Sequence, residues 1–155
     1  MPISSSHGRC PDPVTEATRA VVVEFFEWLQ KREGVAAPPF ATDAEIWLSG
    51  NYWWSGSVSL DEAVRIQTHF HSCFVAGADG IRYNVRSIIA DGERAAAEFE
   101  MSGEWHDGRF YTETIHAAFQ IRAGQIAGYR QYGFDVDFFA REQDVFGASP
   151  ARERT

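Results

Sequence analysis

The run IRYNVRSIIADGERAAAEFEMSGEWHDGRFYTETIHAAFQIRAGQIAGYRQYGF, residues 81–134, decides the fold. Apolar and polar side chains alternate along it with a period of two, as strands with one buried face require. Tight-turn sequences interrupt it at Asp91-Gly92, His106-Asp107-Gly108 and Ala123-Gly124. Turns this short join neighbouring antiparallel strands. The pattern predicts four meandering strands at about 81–90, 93–103, 109–121 and 125–134.

Upstream the period changes. Val14, Ala17, Thr18, Val21, Val22, Phe25, Trp28 and Leu29 recur at helical spacing, with Thr15 as a cap and Gly34 as the stop. Residues 35–43 form a proline-containing connector, and 44–49 (AEIWLS) a short strand. Residues 50–59, GNYWWSGSVS, read as a loop. Its Tyr52-Trp53-Trp54 cluster is costly to leave in water and should close a cavity or an interface. Ser59 then caps a second helix, with Asp61 and Glu62 at the positive end of its dipole. Ala63, Ile66, Gln67, Phe70, Cys73 and Phe74 share one face of that helix. A last helical turn is expected over 135–143. The order helix, strand, helix, four strands predicts an α+β domain with helices covering one face of a curved antiparallel sheet. That domain occupies residues 14–143, between a polar lead-in at 1–13 and a tail at 144–155.

The 155 residues suit one domain and bury enough surface to need neither disulfides nor a structural metal. Acidic residues outnumber basic ones 22 to 14, with no basic cluster, which disfavours a nucleic-acid partner. Glu24 and Glu27 interrupt the longest apolar stretch, so no membrane span is predicted, and residues 1–9 lack the apolar run of a signal peptide. Cys10 and Cys73 fit no metal spacing and no disulfide framework. The expectation is a cytoplasmic protein.

The segment GQIAGYRQY, residues 124–132, with Phe119-Gln120-Ile121 before it, resembles the C-terminal hairpin of NTF2-like proteins. More narrowly, it is similar to SnoaL-like polyketide cyclases, limonene epoxide hydrolases and the phenazine-biosynthesis A/B family. The resemblance implies an NTF2-like cone: a strongly curved sheet wrapped around N-terminal helices, with an apolar internal pocket, often in a homodimer. It also implies an enzyme of secondary metabolism that holds a hydrophobic, ring-bearing substrate. The chemistry would be cofactor-independent acid/base work such as cyclisation, isomerisation, dehydration or condensation. A non-catalytic binding protein or template is the alternative. Epoxide hydrolysis is a lesser one, because the Trp-Arg-Asp-Tyr of the hydrolases is here Tyr129, Arg130, Gln131 and Tyr132. The acid is replaced by an amide that cannot titrate. The phenazine A/B family carries a Glu where Gln131 stands.

Candidate residues follow from both readings. Glu98 and Glu100 share one strand face and occupy the slots of the hydrolases' Arg-x-Asp pair. Turned inward, they would split their titrations into an acid and a base. The alternation alone favours Phe99 and Met101 facing the core, with the glutamates facing water or a partner, whereas the register implied by the resemblance favours the glutamates inward. Tyr129 and Gln131, again two apart, would hold a substrate oxygen or else pack in the core. His71 is a second titrating group or a boundary histidine, and Asp135 a pocket-mouth acid or a helix cap. His69 and His71 point too far apart on a helix to share an ion, and no metal site is predicted. Trp28, Trp47, Trp53, Trp54, Phe70 and Phe74 are expected to line the pocket, with Ile115 beside them. Glu113, on the Tyr111/Ile115 face, is a reserve carboxylate.

Overall fold

The computed structural model describes residues 12–31, 38–50 and 54–133. Helix α1 spans Pro13–Gln30 and is capped by Asp12, whose carboxylate accepts from the Thr15 N–H at 3.2 Å. The expected cap, Thr15, lies inside the helix. Pro13 explains the earlier start, since a first-turn residue needs no donor. The Thr15 hydroxyl instead accepts from the Gly92 N–H at 3.0 Å, tying α1 to a distant turn. The expected stop, Gly34, lies outside the described residues.

Strand β1 runs Phe40–Leu48 and β2 runs Gly56–Val58. The second corrects the expectation of a continuous loop over 50–59. Three residues are too few for any alternation to be visible. Helix α2, Leu60–Ser72, starts as expected at Ser59, which accepts from the Glu62 N–H at 3.2 Å. After it come β3 (Arg82–Asp91), β4 (Arg94–Glu104), β5 (Phe110–Arg122) and β6 (Gln125–Tyr132). All three successive pairs are antiparallel, as the turns required. At the last turn Ala123 and Gly124 both take positive φ, 50° and 74°, the backbone of a two-residue hairpin loop.

The sheet order is β2-β1-β6-β5-β4-β3, with β1 parallel to β6. The sheet is therefore mixed, where the sequence pattern predicted a purely antiparallel one. A pairing between the first and last long strands leaves no turn to betray it. Register shifts in the β1–β6, β3–β4 and β5–β6 pairings, near Phe40/Glu45, Val85/Ser87 and Gln120/Ile121, bend the sheet around the helices.

Helix α1 lies across β3, β4 and β5, and α2 against β1. Phe25 anchors the packing: the rings of Phe26, Phe40, Phe119 and Tyr129 sit 5.2–5.7 Å from it. A second cluster of Phe70, Phe74, Trp105 and Tyr111 fills the far end. There β4 passes so close to its neighbours that a β-carbon on Gly103 would stand 2.9 Å from the Ile81 Cα, which is why that position carries no side chain. No helix among the described residues is long and apolar enough to cross a membrane.

Candidate functional site

Between the two helices and the inner face of the sheet lies a cavity of about 80 Å³. Its walls are built by alternation. Phe99 and Met101 of β4, Tyr83 of β3, and Tyr129 and Gln131 of β6 all point inward. Trp28 from α1, Trp54 from the segment before β2 and Phe70 from α2 complete an aromatic enclosure. The volume is below the roughly 300–1,000 Å³ of drug-sized ligand pockets, so it suits a compact molecule.

Two polar groups interrupt this lining. On one wall the Tyr129 hydroxyl donates to Gln131 Oε1 at 2.6 Å. Burial pushes the Tyr129 phenol far above its usual range, with the nearby Tyr83 adding to the effect. It stays protonated at neutral pH, and with that proton given to the Gln131 carbonyl the pair offers a ligand oxygen the Gln131 amide N–H, oriented by the phenol and without net charge. On another wall Gln67 Nε2 donates to the Tyr83 hydroxyl at 2.6 Å. Behind them, the buried His71 Nε2 contacts both the Tyr83 hydroxyl and the Gln67 amide. His69 also reaches the cavity lining.

The expected site residues separate by face. Tyr129, Gln131, Trp28, Trp54 and Phe70 come together in the cavity. Glu98 and Glu100 do not: both lie on the outer face of β4, because Phe99 and Met101 take the inner one. Glu98 sits 3.6 Å from His116, and Glu100 pairs with Arg86 at 2.6 Å, both partly exposed. The expectation that these two carboxylates supply the pocket's acid and base is thereby corrected. Trp47 is likewise on the outer face, with the Tyr132 ring tilted against it and the Arg130 guanidinium 4.5 Å above its ring. Phe74 and Ile115 are buried in the core beyond the cavity wall. Glu113 pairs with Met101 across β4 and β5, so it shares the inner face, half-buried, without joining the lining. His71 stands behind the wall rather than in it. Trp53 and Asp135 fall outside the described residues.

Gln67, His69 and Tyr83 were missed as a polar group of the pocket. The signal was present: helical spacing put Gln67 on the Ala63/Phe70 face, and alternation put Tyr83 with Ile81 and Val85. Only their convergence across sixteen residues, from a helix and a strand, needed the fold.

The outer-face placement carries an expected result. The double change Glu98→Gln and Glu100→Gln should shift unfolding stability by less than about 1 kcal/mol in urea titrations, because exposed ion pairs contribute little. It should also leave ligand binding in the cavity unchanged.

No protein-family model matches the chain, and no curated protein does. Solved structures do match. A candidate SnoaL-like polyketide cyclase from Jannaschia sp. CCS1 superposes with a TM-score of 0.65 at 13% identity, covering 92% of this chain and 100% of that one. AclR, a candidate hydroxylase from Streptomyces galilaeus, gives 0.67 at 13% identity, with 84% and 98% covered. An NTF2-like protein from Anabaena variabilis ATCC 29413 gives 0.64 at 18% identity, with 83% and 96% covered. Near-complete coverage at such low identity means that backbone architecture, rather than shared side chains, carries the likeness. The bent six-stranded sheet around two helices, with its internal cavity, is the NTF2-like fold.

Proposed function

We propose that the chain is a small-molecule enzyme that takes a hydrophobic, ring-bearing molecule with an oxygen at this aromatic cavity and performs cofactor-independent acid/base chemistry on it. Isomerisation, cyclisation, dehydration and condensation all begin with such a proton transfer. The observation that carries the reading is the chemistry of the cavity. Hydrogen-bonding groups without formal charge, Tyr129–Gln131 and Gln67–Tyr83, are set into otherwise aromatic walls. In so dry a space a hydrogen bond to an enolising oxygen is worth far more than in water. The candidate cyclase and hydroxylase among the similar structures support a place in secondary metabolism. The same reading expects a homodimer in the cytoplasm that requires no cofactor and binds neither nucleic acid nor membrane.

One observation favours a second reading, a binding protein. Among the described residues lining the cavity there is no Asp or Glu. A titratable partner is nevertheless present in the histidines.

A small ketone separates the two. 2-Indanone is apolar, compact and readily enolised. In deuterated buffer, NMR should show its α-hydrogens exchanging faster with the protein than without it, while tryptophan quenching reports saturable binding. Quenching without accelerated exchange would leave only the binding protein. Absence of both would overturn the reading of the cavity itself.

A further inference from the structure

Gln67 on α2, His71 one turn later and Tyr83 on β3 bring three polar atoms together at the cavity wall. Gln67 and Tyr83 line the cavity, and His71 does not. The imidazole lies behind the phenol, buried between the α2 helix and the sheet. We propose that Tyr83 is the group that exchanges a proton with the ligand, that His71 takes up the proton the phenol gives away, and that Gln67 holds the phenol oxygen in place. The proposal deepens the enzymatic reading above and rests on it.

Each role follows from the atoms. A phenol by itself is a poor base near neutral pH. With an imidazole on its oxygen, it can pass its own proton backward while accepting another from the ligand. For a ketone, a proton leaves the α-carbon for Tyr83 Oη as the Tyr83 hydroxyl proton moves to His71 Nε2. The C–H electron pair becomes the enolate double bond, and the enolate oxygen is held by the Gln131 amide N–H, whose carbonyl Tyr129 fixes by its own hydrogen bond. Reversal, with delivery to the same carbon or a conjugated one, restores both residues. No redox partner is required, and charge is conserved: one enolate and one imidazolium form together and vanish together. The Gln67 amide, already donating to Tyr83 Oη at 2.6 Å, stabilises any negative charge developing there.

The surroundings of His71 bear on its protonation. Tyr83 from β3 meets its ring nitrogen, and Lys31 at the end of α1 shares with it a cleft of about 210 Å³. Lys31 pairs with Glu27 at 3.7 Å. On α2 itself the polar neighbours in that cleft are Gln67 and Thr68.

The test uses 2-indanone exchange in deuterated buffer with the full chain. Tyr83→Phe keeps the ring and removes the hydroxyl, and should slow exchange by about 100-fold or more, the usual scale of general acid–base assistance. Its tryptophan quenching by 2-indanone should stay within about twofold, since apolar contacts dominate binding. His71 acts through Tyr83, so its variant is judged by pH dependence. Wild-type exchange should rise with pH as the imidazole becomes able to accept a proton, and His71→Asn should flatten that rise. Loss of a merely structural histidine would lower exchange equally at every pH. Unaltered exchange in Tyr83→Phe, or an unaltered profile in His71→Asn, would overturn the relay while leaving the enzymatic reading standing. Wild-type binding without exchange would overturn both. Should His71→Asn fail to fold, the Tyr83→Phe result decides.

Discussion

Phe25→Ala should lower the unfolding free energy by about 3–5 kcal/mol, the upper range for truncating a buried aromatic side chain. Phe25 is 3% exposed and stands where α1 meets β1, β5 and β6. Its ring meets that of Phe26 in its own helix and those of Phe40, Phe119 and Tyr129 from three strands, at edge-to-face or tilted angles. Removing it loses the transfer energy of the ring, leaves a void those rings cannot collapse into, and forfeits their quadrupole contacts. Phe25 also lines the cavity. The variant should therefore unfold at much lower urea while accepting a bulkier ligand, a pairing that chemical denaturation and tryptophan quenching by 2-indanone and larger ketones would detect together. A loss under about 1 kcal/mol would mean that α1 is not seated on the sheet at this point.

Tyr129→Phe should have the second largest effect on stability, and its size should depend on pH. Near neutrality the variant loses the 2.6 Å hydrogen bond to Gln131 and leaves a half-buried acceptor unpaired, costing about 1–2 kcal/mol. At alkaline pH the sign of the comparison changes. Burial holds the folded-state phenol protonated well above the range in which an unfolded tyrosine ionises. The unfolded chain thus binds fewer protons than the folded one above about pH 10, and stability falls as pH rises. Tyr129 contributes its full stabilisation below that pH and loses about 1.4 kcal/mol per further unit. The phenylalanine variant lacks this slope. Urea titrations at pH 9, 10 and 11 should show the wild type's advantage shrinking above pH 10. Parallel pH profiles would show that the Tyr129 hydroxyl is not enclosed.

Much of this architecture could be read directly from the residues. The period of two over 81–134 placed four strands to within a residue or two, because each strand keeps one face in the core and the turns between them are short and chemically distinctive. Ser59 announced α2 for the same local reason. What escaped was non-local. The parallel pairing of β1 with β6 joins strands more than seventy residues apart. For Glu98 and Glu100, alternation favoured the outer face, and the family register pointed to the wrong one. Phe99 and Met101 settle the matter, since two large apolar side chains gain more from burial than two carboxylates can tolerate. Tyr129 and Gln131 were legible because aromatic and amide groups two apart on the last strand share a face in any register. Tyr83 and His71 were individually visible, but a contact between a helix and the following strand has no signature in a single chain.

Locating a bound ligand tests the central claim most directly. A crystal soaked in 4-bromophenol and measured at the bromine absorption edge should show one strong anomalous peak inside the cone, among Trp28, Phe70 and Phe99, with the phenol oxygen within hydrogen-bonding distance of Tyr129 or Gln131. A peak confined to the outer face beside Trp47 and Arg130, with the cavity unchanged, would contradict it.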